Sequence, residues 1–298
     1  MTGHLRIPSP NKQLAVLLIV FSPQLLLILY GLMMNKHVDI QLPSSEAMLQ
    51  QIKWSQALSS VLFFFLPAYL FALFTFQGKQ LYFLGFKKAE KPGMYVYAVL
   101  GILFLLPFVF FLGEINSLIP LPQWMKQLEV NTSAQLESIL KVKTGMDVVV
   151  NVFIIAFLPA LCEEVFFRGA MQRVLIHFTR SPWTGILLTA TLFSALHLQF
   201  AGFLPRFFLG VVLGYLCWYS GSLWTSFAAH FANNAIQVLV VSYYPQFVKA
   251  NPNVPLMHTL GFLGAGTLLL HLVFKQSTAS FEKVYENDRI NPHNEFIA

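Results

Sequence analysis

Long apolar stretches recur along the chain and alternate with short polar segments. A helix that crosses a membrane needs about 20 mainly apolar residues. Eight stretches reach or approach that length, and they cover 14–34, 57–76, 95–113, 148–176, 183–199, 203–219, 222–243 and 257–274. The fifth and sixth are short, and hydropathy alone does not fix the boundary between them near Gly202 and Pro205. The pattern predicts an all-α polytopic membrane protein with about eight transmembrane helices.

The longest polar gap between these stretches, residues 114–147, is too short for a soluble domain. Its sequence suits an amphipathic helix that lies at the membrane interface. We therefore expect a single membrane domain over residues 1–298. It divides into N-terminal helices over 1–130 that carry no motif and are expected to vary, a core over 147–243, and a last helix over 257–274.

Composition supports a membrane protein. Hydrophobic residues make up 56% of the chain and charged residues only 11%, whereas soluble proteins carry about 25% charged residues. The mean hydropathy is +0.62. No basic stripe interleaved with aromatic residues is present, so we expect membrane lipid and not nucleic acid as a partner. Two cysteines, Cys162 and Cys217, are too few for a disulfide scaffold.

The distribution of Lys and Arg predicts the orientation. If the N-terminus is cytoplasmic, the segments on that side carry more Lys and Arg than the segments on the other side, so we expect both termini in the cytoplasm. The first apolar stretch is longer than a signal-peptide core, and no small-x-small cleavage site follows it. We interpret it as a retained transmembrane helix. The absence of an organelle presequence suits a bacterial inner membrane.

Ionisable residues inside membrane spans are costly and usually face a cavity or each other. The fourth, fifth and seventh stretches contain several. They are Glu163, Glu164 and Arg168 in "PALCEEVFFRG", His197 in "TLFSALHLQF", and His230, with Asn233, Asn234 and Gln237, in "FAAHFANNAIQ".

Helical spacing divides the charges of the fourth stretch. Glu164 and Arg168 are four residues apart, the spacing of an ion pair on one helix face. Glu163 lies about 100° away around the helix and has no local partner, which suits a group that transfers protons. His230 and Asn234 also share a helix face.

A hairpin brings the fourth and fifth stretches together. Its turn lies near Arg180, and both Glu163 and His197 are 17 residues from Arg180 along the chain. At about 1.5 Å per residue, both side chains then lie about 25 Å from the turn, at matching depth. His230 lies about 14 Å beyond Gly221 by the same rise, and helix tilt allows it to converge on the same region.

Three motifs stand in order: EExxxR (Glu163 to Arg168), FxxxH (Phe193 to His197) and HxxxN (His230 to Asn234). In their order and spacing the chain resembles the CPBP family, the CAAX-prenyl-protease-2-like or Abi intramembrane proteases. The likeness covers about residues 159–237. It implies an eight-helix membrane core with a catalytic cavity that is entered from the membrane or the cytosol.

The resemblance also implies hydrolysis of a peptide bond in a protein or peptide substrate. Glu163 and His197 match the residues that activate water, and His230 and Asn234 match the pair that stabilises the oxyanion. Glu164, Arg168 and Phe193 match supporting positions. Donors of this kind, placed at a developing oxyanion, typically contribute about 3 kcal/mol each.

A metal-dependent version is equally coherent. His197, His230 and Glu163 would form a three-ligand set with an open position for water, as in catalytic zinc sites. No HExxH motif is present, so these ligands would come from separate helices. The sequence leaves open a metallopeptidase with a divalent metal such as zinc and a metal-free, glutamate-type peptidase.

Other functions compete with proteolysis. The polar residues could form a hydrogen-bonded network that only holds helices together, in a bacteriocin self-immunity or scaffolding protein without essential catalysis. They could also relay protons in a transporter, although no inverted repeat or pair of broken helices is present. Within the protease interpretation the substrate stays open among a prenylated CAAX protein, a leader peptide and a membrane anchor.

Overall fold

The structure is a computed structural model that describes residues 5–34, 45–140, 142, 144–244 and 254–279. Helices make up most of these ranges. The β-type pairing within them is an isolated antiparallel bridge between Leu5 and Phe76. The all-α prediction is confirmed. The helices are α1 Pro10–Met34, α2 Glu46–Thr75, α3 Gln80–Phe83, α4 Gly93–Ser117, α5 Gln123–Leu140, α6 Gly145–Thr179, α7 Pro182–Leu196, α8 Phe203–Ser220, α9 Leu223–Tyr243 and α10 Leu256–Gln276.

Every predicted apolar stretch coincides with a helix. Among the described residues, α1, α2, α4, α6, α8 and α10 are long and apolar enough to cross a membrane, which makes six candidate spans. Helix α7 is apolar but shorter, and the polar residues of α9 lower its hydropathy. The chain is an integral membrane protein, and the number of eight spans stays a prediction. So does the division into N-terminal helices, core and last helix.

Two long helices widen where a proline interrupts their hydrogen bonding. Proline has no N–H, and its ring crowds the carbonyl group one turn earlier. A π-helical stretch at Val61–Phe65 ends two residues before Pro67 in α2, and another at Val152–Phe157 ends two residues before Pro159 in α6. Widened turns of this kind let a helix continue past the missing hydrogen bond.

The α6–α7 hairpin turn lies where the sequence predicts it. Arg180 ends α6 in the left-handed conformation, with φ 56°. Ser181 then caps α7, because its hydroxyl oxygen accepts a hydrogen bond from the Thr184 N–H at 3.3 Å, and Pro182 occupies the first helical position. The turn is therefore fixed by local chemistry.

The α8–α9 turn lies beside the segment that joins α2 to α4. Gly221 ends α8 with φ 65°, the Leu223 N–H donates to the Gly85 carbonyl at 2.9 Å, and the Glu90 N–H donates to the Ser220 carbonyl at 3.2 Å. We call this end of the molecule, with the α6–α7 and α8–α9 turns and residues 76–92, the hairpin end.

The opposite end, which we call the cavity end, is built around the connection between α7 and α8. Helix α7 ends at Leu196, Leu198 takes the left-handed conformation with φ 55°, and a 3₁₀ turn follows at Phe200–Gly202. Asn116 at the end of α4 holds this connection: its amide donates to the Phe200 carbonyl at 2.9 Å and accepts from the Leu204 N–H at 2.8 Å.

Helix α5 lies across the same connection. Its Glu129 accepts a hydrogen bond from the Ala201 N–H at 2.6 Å, and Trp124 packs edge-on against Phe200 with ring centroids 5.7 Å apart. The helix expected within residues 114–147 is thus present. Its contacts are with the cavity end of the bundle, and a position at the lipid interface stays a prediction.

Candidate active site

A cavity of about 460 Å³ lies at the cavity end, between α4, α5, α6, α7, α8 and α9. Its walls differ in chemistry. The polar wall is formed by Glu163, His197, Gln199, Arg206, His230, Asn233, Asn234 and Gln237, together with Gln56 of α2. An apolar wall on α4 and α5 includes Ile102, Leu106, Val109, Phe110, Leu136 and Leu140.

Glu163 and the two motif histidines meet in this cavity. The Glu163 Oε2 atom lies 3.9 Å from His197 Nε2 and 3.9 Å from His230 Nε2. The Glu163 side chain is 12% exposed and that of His197 is 27% exposed, so both stay open to the cavity. Residues from three helices that are distant in sequence therefore converge on one carboxylate oxygen.

The second nitrogen of each imidazole has its own partner. His197 Nδ1 lies 2.7 Å from the Phe193 carbonyl oxygen, and His230 Nδ1 lies 2.8 Å from Glu164 Oε1. A carbonyl or carboxylate oxygen only accepts, so both Nδ1 atoms carry the proton. In each neutral ring Nε2 then keeps a lone pair that faces Glu163.

Glu164 is the centre of a buried network. Both Glu164 and Arg168 have side chains with no exposed surface, and Arg168 Nη1 lies 2.8 Å from Glu164 Oε1, as the spacing predicts. The same oxygen accepts from His230, and Arg168 Nη2 donates to the Gly210 carbonyl at 3.1 Å. The network therefore connects α6, α8 and α9. The sequence did not indicate the contact between Glu164 and His230.

Phe193 packs against the charged and imidazole groups together. The Arg168 guanidinium lies 4.7 Å from its ring centroid. The His197 and His230 rings meet it edge-on, with centroids 4.8 Å and 5.9 Å away. The phenylalanine of the second motif thus orients both imidazoles while its ring stays buried.

Asn234 lines the cavity one turn beyond His230. Its Oδ1 atom accepts a hydrogen bond from Asn233 Nδ2 at 3.0 Å, which leaves its own amide N–H₂ group to donate. Asn233 is buried and also lines the cavity. Both neighbouring asparagines therefore belong to the site, although only Asn234 is part of the motif.

Sequence reasoning missed Arg206 and Gln199. Arg206 belongs to none of the three motifs, yet it lies in the first turn of α8 and lines the cavity. Pro205 was the available signal, because proline is common in the first turn of a helix and places the next residue on that helix.

The residues proposed as metal ligands do not fit a tetrahedral site as they stand. The Nδ1 atoms of His197 and His230 contact a carbonyl and a carboxylate oxygen. Metal-bound histidines also donate their second N–H to such groups. Ligands about 2.1 Å from a zinc ion lie about 3.4 Å apart, and Glu163 Oε2 is 3.9 Å from both Nε2 atoms. Across the described ranges, no set of three His, Cys, Asp or Glu side chains has the geometry to hold a metal ion.

Comparison with known proteins identifies the class. Residues 145–236 match the family described as type II CAAX prenyl endopeptidase Rce1-like. This segment runs from the start of α6 into α9 and contains all three motifs, and the match supports the predicted CPBP, or CAAX protease, family. No curated protein and no solved structure gives a significant match.

The family indicates a protease, and it supports CAAX-type intramembrane endopeptidase activity in general. Such an activity implies a protein or peptide substrate in a membrane context. The matched segment leaves out α4 and α5, which supply the apolar wall of the cavity.

Proposed function

We propose that this protein is an intramembrane endopeptidase in which Glu163 and His197 activate water to hydrolyse a peptide bond of a membrane-associated or lipidated substrate. The observation that carries the proposal is the approach of Glu163 Oε2 to His197 Nε2 and His230 Nε2, at 3.9 Å each, within one cavity.

The separation of these atoms suits a water-mediated reaction. At 3.9 Å, Glu163 Oε2 and His197 Nε2 are too far apart for a direct hydrogen bond. A water molecule that donates a hydrogen bond of about 2.8 Å to each of the two atoms fits between them. Glu163 then accepts the water proton, while the His197 lone pair orients the water for attack on the substrate carbonyl carbon.

His230 and Asn234 are placed to stabilise the oxyanion that this attack creates. The Asn234 amide can donate without any change in protonation. His230 can donate through Nε2 only as an imidazolium, since Nδ1 already carries the proton that binds Glu164. Glu164 is the hydrogen-bonding counter-ion that this charged form requires. In this proposal Glu164 stabilises the charged forms of both His230 and Arg168.

Prenylated peptides are the first substrates to test. The matched family is named for CAAX prenyl endopeptidases, and proteins that end in C-a-a-X are prenylated on the cysteine. The apolar wall of the cavity suits aliphatic side chains or a lipid chain. Leader peptides and membrane anchors are the alternative substrates.

The test is hydrolysis of a fluorogenic S-farnesylated peptide by the purified protein in lipid nanodiscs. Glu163→Gln and His197→Ala are each expected to lower kcat by about a hundredfold or more, because each removes a group that acts on the water proton. Glu114→Gln and His271→Ala, which make the same changes outside the cavity, are expected to keep full activity.

Full activity of Glu163→Gln or His197→Ala with normal folding would contradict the mechanism. Loss of activity in the control variants would show that the changes act through folding. If deletion of the protein changes a cellular phenotype and the Glu163→Gln variant restores it fully, an immunity or scaffolding function without catalysis would be favoured over proteolysis.

A further inference from the structure

Arg206 introduces a cation into the cavity that the proposed hydrolysis does not use. It lies on α8, apart from the three motifs, and lines the same cavity as Glu163, His197 and His230. Charged groups at membrane depth are costly and mark functional positions. The charge of Arg206 therefore requires an explanation beyond the three motifs.

The guanidinium is folded over the connection that follows His197. Its Nη1 donates to Gln199 Oε1 at 2.9 Å, and its Nη2 donates to the Gln199 carbonyl. Gly202 makes room for it, because a Cβ atom there would come within 2.6 Å of Nη1. The group is thus held in a defined position at the edge of the cavity.

These contacts hold the guanidinium without neutralising it. Both acceptors on Gln199 are uncharged, and the Arg206 Nε–H is buried without an acceptor. Glu129 and Glu163 are the acidic groups that act on Arg206 electrostatically. Neither forms an ion pair with it within the described part of the chain, and Glu129 already accepts from the Ala201 N–H. Each Nη atom has a second N–H, so Arg206 keeps donors and a positive charge for an anion that enters the cavity.

We propose that Arg206 binds a carboxylate of the substrate and so selects substrates that present one near the scissile bond. This inference rests on the proposed peptidase function. A guanidinium offers paired N–H donors that match the two oxygens of a carboxylate. The carboxylate has two possible sources, the C-terminus of the peptide and an acidic side chain.

Binding is measured separately from hydrolysis. The protein carries Glu163→Gln and is placed in nanodiscs of zwitterionic phosphatidylcholine, so that bound peptide is not cleaved. Fluorescence anisotropy then gives the Kd of three S-farnesylated peptides. The first has a free C-terminal carboxylate and one acidic side chain, the second has a C-terminal amide, and the third has Gln in place of the acidic residue.

We expect loss of the recognised carboxylate to weaken binding by about tenfold or more, as for other hydrogen bonds to charged groups. Weaker binding of the amide peptide identifies the C-terminus, and weaker binding of the Gln peptide identifies the side chain. Adding Arg206→Gln should abolish that preference, while Arg206→Lys should keep part of it. Lys126→Gln, which removes an exposed cation on α5, should leave the preference unchanged.

Equal affinity for all three peptides, or no binding of any of them, overturns the proposal. If Arg206→Gln weakens the binding of all three peptides equally, the proposal is also overturned, because the guanidinium then only positions the His197–Gly202 connection. If anionic phosphatidylglycerol displaces the peptides and the three peptides bind equally well, Arg206 binds a lipid headgroup instead. If the carboxylate preference is seen but the unsubstituted protein cleaves none of the peptides, the peptidase function is contradicted and carboxylate recognition is still supported.

Discussion

At the scale of single residues, two adjacent glutamates have different surroundings. Glu163 faces the cavity and approaches two imidazoles, whereas Glu164 is fully buried and accepts from Arg168 and His230 at one oxygen. Because consecutive helical residues point about 100° apart, neighbours in sequence enter different environments. Glu163 therefore stays open to the cavity, while Glu164 holds the groups around it in place.

Arg168→Ala should destabilise the protein by about 3 kcal/mol or more, because removing one partner of a buried ion pair leaves the other charge uncompensated. Thermal unfolding of the purified protein in detergent measures the change. Arg6→Ala, which removes an exposed arginine, should cost less than about 1 kcal/mol.

The double variant Arg168→Ala/Glu164→Gln gives a sharper test of the same pair. It removes the stranded charge, and it should be more stable than Arg168→Ala alone despite carrying one more substitution. If Arg168→Ala unfolds at the same temperature as the unsubstituted chain, the buried ion pair contributes nothing to stability.

At the scale of helices, close packing of α7 against α8 sets the position of the site. A Cβ atom on Gly210 would lie 3.0 Å from the Ala190 Cβ and 3.1 Å from its Cα. The same Gly210 carbonyl accepts from Arg168. Small residues let membrane helices approach this closely. The contact therefore determines both the helix spacing and the anchoring of the Glu164 network.

Gly210→Val should lower the stability by about 1–3 kcal/mol through overpacking, and it should reduce peptidase activity because α8 moves away from Arg168. The measurements are the unfolding midpoint and the rate of peptide cleavage. Gly264→Val on α10 is the matched control, since nothing lies within 4 Å of a Cβ atom there. Ala190→Gly should partly rescue Gly210→Val, and an unaffected Gly210→Val protein would contradict the packing argument.

Much of this arrangement follows from local sequence signals. Apolar length identified the helices, Arg180 to Pro182 identified a turn, and the four-residue spacing identified the pair of Glu164 and Arg168. Such signals depend on neighbours within a few residues. The contact of Glu164 with His230 joins residues 66 positions apart, and helix rotation and tilt determine it. These depend on packing partners that hydropathy does not specify.

Arg206 shows a second limit of sequence reasoning. A count of Lys and Arg treats every basic residue near a span as a loop charge, so it cannot separate Arg206 from exposed residues such as Lys126. Only the fold of the α7–α8 connection turns the Arg206 side chain towards the cavity. The assignment of α5 to the cavity depends in the same way on contacts between distant segments.

At the scale of the whole molecule, the two ends differ in charge. Among the described residues, the hairpin end carries Arg6, Lys12, Lys79, Lys87, Lys88, Lys91, Arg173, Arg180 and Lys275, with Glu90 as its acidic residue. The cavity end carries Lys53, Lys126 and Arg206, together with Glu46, Glu114, Glu129, Glu137 and Asp147. Positive charge favours the cytoplasmic side, which predicts that the hairpin end is cytoplasmic.

This charge distribution conflicts with entry to the cavity from the cytosol. Glu163 and His197 lie about 25 Å from the α6–α7 turn at the helical rise, within a hydrocarbon layer about 30 Å thick. A cytoplasmic hairpin end therefore puts the candidate site in the half of the membrane away from the cytoplasm. Both the bacterial inner membrane and the cytoplasmic termini stay predictions.

Labelling of single cysteines decides between the two orientations. Gln123→Cys at the start of α5 should react with a membrane-impermeant maleimide in intact bacterial cells, because the cavity end is expected outside. Gln77→Cys at the hairpin end should react only after the cells are permeabilised. The unsubstituted chain, with its native Cys162 and Cys217, gives the background. The reverse pattern would make the hairpin end extracytoplasmic and open the site to the cytosol.

The cavity has its candidate hydrolytic groups on helices within the family match, and it has an apolar wall on α4 and α5, outside the match. The candidate hydrolytic groups and this apolar wall therefore lie in separate stretches of the chain. Exchanges among aliphatic residues of α4 and α5 can reshape what the cavity accepts without disturbing the buried charges. For protein engineering, these two helices offer a route to new specificities that leaves the hydrolytic groups untouched.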